Sequence, residues 1–317
     1  MKRIAVIDLG TNTFHLLITD VNPYSAPGDV CKRTIAVKLG QGGINKGVIH
    51  PDAYHRGVKA IEEFADLIRF HQVEIVKAVA TAAIRNASNG THFISDIRNK
   101  TGIQIEMIDG DREAELIYKG VREAASINDH PVLIMDIGGG STEFIICNAS
   151  KILWKRSYPI GAARMMDRFH HSDPISRPDT DQFISHLDEN LQELLGQCRD
   201  HQPTELIGSA GAFETFAELI NRKYDPGENK VTSPARAIDL KHFHETALVL
   251  RNSTHQERAQ MPGLIALRVD MIVIASILTE YIISKTGIKS MVLSDYSLKE
   301  GVLFDLLSSA DRSNDLE

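Results

Sequence analysis

The chain alternates short apolar runs with longer amphipathic ones. Ile4-Ala5-Val6-Ile7 leads into Asp8-Leu9-Gly10-Thr11-Asn12-Thr13, and a second apolar run, Phe14-His15-Leu16-Leu17-Ile18, follows at once. The pattern returns at Val132-Leu133-Ile134-Met135-Asp136-Ile137, then Gly138-Gly139-Gly140-Ser141-Thr142, then Glu143-Phe144-Ile145-Ile146-Cys147. Short apolar runs bounded by turn residues predict buried strands. Further strands are expected at 31–38, 75–80, 103–108, 150–158, 205–208 and 290–293. Helical spacing of Val58, Ile61, Phe64, Ala65 and Ile68 predicts a helix over 52–71, with Pro51 at its start. Other helices are expected at 89–100, after Gly110, and at 179–200, 211–222, 239–251, 262–286 and 296–309, with a surface loop at 223–235 and a polar, frayed tail from Asp311.

Two hairpin-first halves that continue into βα units predict an α/β protein with two mixed-sheet domains facing each other across a cleft. The polar turn Asn128-Asp129-His130-Pro131 marks the expected boundary, giving domains at 1–127 and 128–299. The C-terminal helix, 300–317, is expected to return to the first domain.

Composition narrows the class. With 317 residues, each half has enough chain for its own core. A net charge of −7 argues against nucleic-acid coating, so an anionic substrate would need local cations or a metal. Cys31, Cys147 and Cys198 show neither zinc spacing nor a disulfide framework, which fits a reducing compartment. Leu264 to Ile283 carries Arg268, Asp270 and Glu280 and reads as a buried or amphipathic helix, not a membrane span. With no signal peptide apparent, a cytoplasmic location is expected.

The candidate chemistry lies at the turns. Asp8 and Asp136 end apolar strands, where a carboxylate requires donors or a cation. An aspartate capping its own turn explains one copy; a divalent metal explains both. Glu143, on the outgoing arm, is placed to join the same cation or to be solvated. Gly10-Thr11-Asn12-Thr13 and Gly138-Gly139-Gly140-Ser141-Thr142 offer N–H groups suited to phosphate oxygens, or form plain hairpin turns. Gly208-Ser209 precedes a helix N-terminus, a third anion site in principle. Arg85 has the chemistry of a phosphate clamp or of an ordinary surface arginine. Glu113 sits in a first helical turn, where the dipole favours an acid and works against a base, whereas a desolvating cleft with a polyanionic substrate nearby would restore one.

Taken together, these motifs resemble the exopolyphosphatase/guanosine pentaphosphate phosphohydrolase (Ppx/GppA) family of the actin-like ATPase superfamily. Those carrying the resemblance are Asp8 to His15, Ala80 to Arg85, Asp109 to Ala114, Asp136 to Glu143, Gly161 to Arg164, Gly208 to Gly211 and Leu293 to Gly301, in family order. The resemblance implies two ribonuclease-H-like domains with the active site between them, and Mg²⁺-dependent removal of a terminal phosphate by water. It makes Glu113 the base and ties Asp8, Asp136 and Glu143 to the metal. It places phosphate on both turns and Arg85; Gly208 and Ser209 are expected to bind phosphate at the helix N-terminus. Members are often homodimers, so one is expected here.

Arg112 stands where the family usually has an acid. Longer members carry extra helical domains beyond Gly301, so shorter polyphosphate is the expected preference. The leading expectation is an exopolyphosphatase, with pppGpp hydrolysis second and a polyphosphate or nucleotide sensor with little turnover third. An actin-like sugar kinase fits the architecture but lacks a sugar-binding motif here. No nucleic-acid or membrane partner is expected.

Overall fold

A computed structural model of the chain describes residues 2–22, 25–225 and 233–314. It divides into two compact units, Met1–Lys119 with Leu298–Glu317, and Gly120–Ser297. The divisions thus fall at Lys119/Gly120 and Ser297/Leu298, a few residues from the boundaries expected at 127/128 and 299/300.

The first unit is built on β1 (Lys2–Leu9), β2 (Thr13–Asn22) and β3 (Ser25–Ala36). It continues through α1 (Pro51–Phe70), β4 (Ile75–Ala80), α2 (Ala82–Arg85), α3 (Gly90–Thr101), β5 (Ile105–Met107) and α4 (Gly110–Ala124). The sheet order is β3-β2-β1-β4-β5. β2 is antiparallel to both β1 and β3, whereas β4 and β5 run parallel to β1. This is the ribonuclease-H-like arrangement expected. Phe14, Ile61, Phe64, Phe93 and Ile97 fill a core with no exposed surface.

The second unit repeats the plan. It holds β6 (Val132–Ile137), β7 (Thr142–Cys147), β8 (Ile152–Tyr158), α5 (Ala162–Phe169), α6 (Arg177–Asn190), α7 (Gln192–His201) and β9 (Glu205–Ser209). It ends with α8 (Ala210–Tyr224), β10 (Ala235–Ile238), α9 (Leu240–Asn252), α10 (His255–Ala259), α11 (Met271–Thr286) and β11 (Ser290–Ser294). The sheet order, β10-β11-β9-β6-β7-β8, is the same five-strand order with β10 added antiparallel at the edge. Its core gathers Phe144, Phe183, Phe213, Phe216 and Phe243 against α11. Then α12 (Leu298–Asn314) returns to the first unit and packs on β1.

Four expectations need correction. The helix expected over 179–200 breaks at Leu191, because the Asn190 and Gln192 side chains donate to the His186 and Asp188 carbonyls. The helix expected from 262 begins at Met271. Gly263 has φ 95°, and the buried Arg258 takes the Val269 carbonyl at 2.8 Å. The strand expected over 31–38 ends at Ala36, and Lys38 adopts φ 48°. The helix expected over 296–309 runs on to Asn314, past the start of the tail read as frayed. Most of the loop read over 223–235 lies outside the described residues, although its end forms β10.

Candidate active site

In each unit the parallel strands bring their carboxyl ends to one sheet edge, the usual ligand edge of an α/β sheet. In the first unit, β1 ends at the Gly10–Thr13 turn, β4 runs into Arg85 and β5 into Glu113. The turn closes with the Gly10 N–H donating to Thr13 O at 3.1 Å. Thr11 is buried, and the Thr13 hydroxyl lies 2.8 Å from His15 Nε2.

Arg85 and Glu113 meet directly. Nη1 of Arg85 lies 3.0 Å from Glu113 Oε2 and donates to Ile108 O at 2.8 Å. Among the described residues only Nη1 is engaged, so Nε and Nη2 remain for a phosphate. Glu113 is 6% exposed although it sits in a first helical turn. The Asp109 carboxylate caps that turn, accepting from the Arg112 N–H at 2.7 Å. The Arg112 guanidinium turns to Glu115 and to Asp305 on α12, and Lys119 pairs with the same aspartate. Burial works against the ionised Asp305, but the two cations outweigh it and hold its pKa below the ordinary value. Arg112 therefore ties α12 to α4.

The second unit concentrates carboxylates. Asp136 and Glu143 stand directly opposite each other in the β6–β7 ladder, so their side chains share a face. They are only 7% and 1% exposed. The Ser209 hydroxyl donates to Asp136 Oδ2 at 2.6 Å, and the Ser157 hydroxyl to Glu143 Oε1 at 2.6 Å. Two buried like charges at this spacing repel, and a divalent cation would relieve the repulsion. In the first unit the same register sets Asp8 against His15. The equivalent strand position thus holds a carboxylate in one unit and an imidazole in the other.

The Gly138–Ser141 turn is braced from behind by the start of α5. Ala162 N–H donates to Gly138 O at 2.9 Å and Arg164 N–H to Gly139 O at 3.0 Å. Arg164 Nε donates to Gly140 O at 3.0 Å, and burial lowers the pKa of this guanidinium. Gly161 lies so close that a Cβ would stand 2.5 Å from the Gly140 and Ser141 nitrogens. Thr142 and Gly208, both expected on phosphate, are packed within the unit. Thr142 has no exposed surface and its hydroxyl donates to Ile160 O; Gly208 lies within β9 beneath the Phe213 ring. Ser209 acts on Asp136, and the next residue, Ala210, has φ 63° at the start of α8.

Among the described residues, no group of three His, Cys, Asp or Glu side chains is placed to hold a metal alone. The donor set at Asp136 and Glu143 still fits Mg²⁺, a hard cation that often takes one or two carboxylates and leaves other positions to water and phosphate. Ser157 and the bracing role of Gly161 and Arg164 were not foreseen. Ser157 lies opposite Glu143 in the β7–β8 ladder, a pairing that the sequence pattern does not mark.

The sequence model of the Ppx/GppA phosphatase family matches residues 17–310. The chain belongs to the Ppx/GppA phosphatase family. Over 327 aligned residues it is 30% identical to Exopolyphosphatase 2 of Mycobacterium tuberculosis, covering 96% of this chain and 99% of that protein. It is 29% identical to a putative exopolyphosphatase of Haemophilus influenzae, covering 96% and 92%. The crystal structure of an exopolyphosphatase from Cytophaga hutchinsonii superposes with a TM-score of 0.94 at 41% identity, covering 97% of this chain and 98% of that one. Among the described residues no helix is long and apolar enough to cross a membrane.

Proposed function

We propose that this chain is an exopolyphosphatase, releasing orthophosphate from the end of inorganic polyphosphate. The observation that carries the reading is Glu113, a buried carboxylate fixed by Arg85 at the ligand edge of its sheet. The full-length likeness to two exopolyphosphatases supports the substrate class.

Glu113 accepts a proton from water as the water oxygen bonds to the terminal phosphorus. The bond to the bridging oxygen breaks, and the shortened polyphosphate leaves with that oxygen's electron pair. In the first unit the N–H groups of the Gly10–Thr13 turn and the remaining N–H groups of Arg85 suit phosphate oxygens, and in the second unit the N–H groups of the Gly138–Ser141 turn do the same. Asp136 and Glu143 would hold Mg²⁺ in the second unit; Asp8 is the carboxylate at the equivalent strand position of the first. The ion, when bound, neutralises phosphate charge and polarises the phosphoryl group. Ser209 and Ser157 orient the two carboxylates.

Hydrolysis of pppGpp uses the same machinery. Orthophosphate release from polyphosphate and from pppGpp at equal concentration separates the two. Higher kcat/KM on polyphosphate supports the proposal, and release from pppGpp alone refutes it.

A further inference from the structure

The third strand of each unit ends in a segment that backs the glycine turn, and each segment carries a cation there. In the second unit that cation is Arg164. In the first unit Lys38 N–H donates to Asn12 O at 2.8 Å, and Gly40 N–H donates to Thr11 O at 3.0 Å. Gly40 approaches so closely that a Cβ would lie 2.7 Å from Thr11 Cγ2.

Lys38 is held in an unfavourable conformation at this position. Its φ of 48° lies in the left-handed region, which is costly for a residue with a Cβ. Arg56 secures the segment from the other side. Its Nε donates to Val37 O at 2.8 Å, and its Nη2 lies 3.2 Å from both Lys38 O and Gln41 Oε1.

The charge at this position is uncompensated. No Asp or Glu occurs between Asp29 and Asp52, whereas Lys32, Arg33, Lys38 and Lys46 do. Lys32 pairs with Asp29, and Arg33 with Glu63. The exposed Lys38 ammonium forms no ion pair or hydrogen bond among the described residues. In a chain of net charge −7, this is a local positive centre beside a turn of N–H donors.

We propose that Lys38 is a substrate-binding residue, its ammonium taking one phosphate of a polyanionic chain whose neighbouring phosphate lies on the Thr11–Thr13 turn. An ammonium is a compact point charge that accepts many phosphate orientations, as a flexible homopolymer requires. The inference rests on the exopolyphosphatase reading.

The test uses the full chain carrying Lys38→Asn or Lys38→Arg, with inorganic polyphosphate as the probe. Asparagine tolerates the left-handed backbone and removes the charge. Orthophosphate release gives kcat and KM, and calorimetric titration gives binding. For Lys38→Asn, KM rises roughly tenfold, the loss of one charge-assisted contact, with kcat unchanged and a weaker salt dependence. Lys38→Arg stays within about twofold of the parent protein. A wild-type KM in Lys38→Asn, or equal losses in both variants, overturns the inference and leaves the hydrolase reading standing. If the parent protein binds polyphosphate but releases no phosphate, and Lys38→Asn weakens that binding tenfold, the contact stands and the hydrolase reading falls. If the parent protein binds no polyphosphate, both fall.

Discussion

Nη1 of Arg85 donates at once to Glu113 Oε2, at 3.0 Å, and to Ile108 O, at 2.8 Å. One guanidinium thus joins the segment after β4 to the start of α4 and fixes the carboxylate proposed as base. Arg85→Ala leaves that carboxylate buried without its cation. Stability falls by about 1–3 kcal/mol in chemical denaturation, and kcat falls about 100-fold. Arg85→Lys keeps the charge but not the fork, and recovers only part of the rate.

Asp136 and Glu143 repel across the β6–β7 ladder, so stability and activity move in opposite directions when one is neutralised. Glu143→Gln raises the melting temperature measured in EDTA, by an amount corresponding to about 1 kcal/mol. The same variant needs about tenfold more Mg²⁺ for half-maximal phosphate release. An unchanged Mg²⁺ requirement removes the metal role from this pair.

Gly161 has backbone against it on the side a Cβ would occupy, with the Gly140 and Ser141 nitrogens 2.5 Å away. Gly161→Ala must therefore displace the Gly138–Ser141 turn. It costs about 1–3 kcal/mol of stability and raises KM about tenfold or more, by displacing the N–H groups proposed to hold phosphate. Steady-state kinetics on the folded variant measure this.

Arg112 and Lys119 share Asp305. Asp305→Asn loosens α12 from α4, with a loss of about 1 kcal/mol because the cluster is partly solvated. A double-mutant cycle with Arg112→Ala shows coupling between the two residues, and kcat on polyphosphate changes by less than about twofold. Arg112 is thus a tether between helices.

The Asp179 carboxylate accepts from His171 and Ser172, and Ser176 caps its helix. The His171 bond is the largest cause of a pKa held at about 2, acting against burial. A depressed carboxylate stabilises the fold above its unfolded pKa, near 3.8, and that stability is lost as pH falls toward 2. Stability measured from pH 5 to 2 therefore falls less steeply in Asp179→Asn than in the parent protein.

Much of the fold was legible because its signals are local. The two hairpins announce themselves by apolar runs around an aspartate and a turn, and the Pro51–Phe70 helix by its spacing. The break at Leu191 was not, since apolar Leu187, Leu191, Leu194 and Leu195 continue a helical pattern across it. The deferred start of α11 depends on Arg258 reaching the Val269 carbonyl, a long-range bond with no local mark. Among the candidate residues, Asp136 and Glu143 of one unit and Arg85 and Glu113 of the other could be proposed from motif and strand position, but not their partners. Ser209 and Asp305 come from distant stretches of chain, and Ser157 from the next strand. The Lys38 segment reads as strand and loop until its hydrogen bonds to Thr11 and Asn12 are seen.

The most direct test of the central claim is orthophosphate release from polyphosphate by the parent protein and by Glu113→Gln, each with Mg²⁺ and with EDTA. The account predicts release by the parent protein in Mg²⁺ only, and a fall of about 100-fold or more in the variant, whose circular dichroism spectrum is unchanged. Equal rates for the two proteins in Mg²⁺ would contradict it.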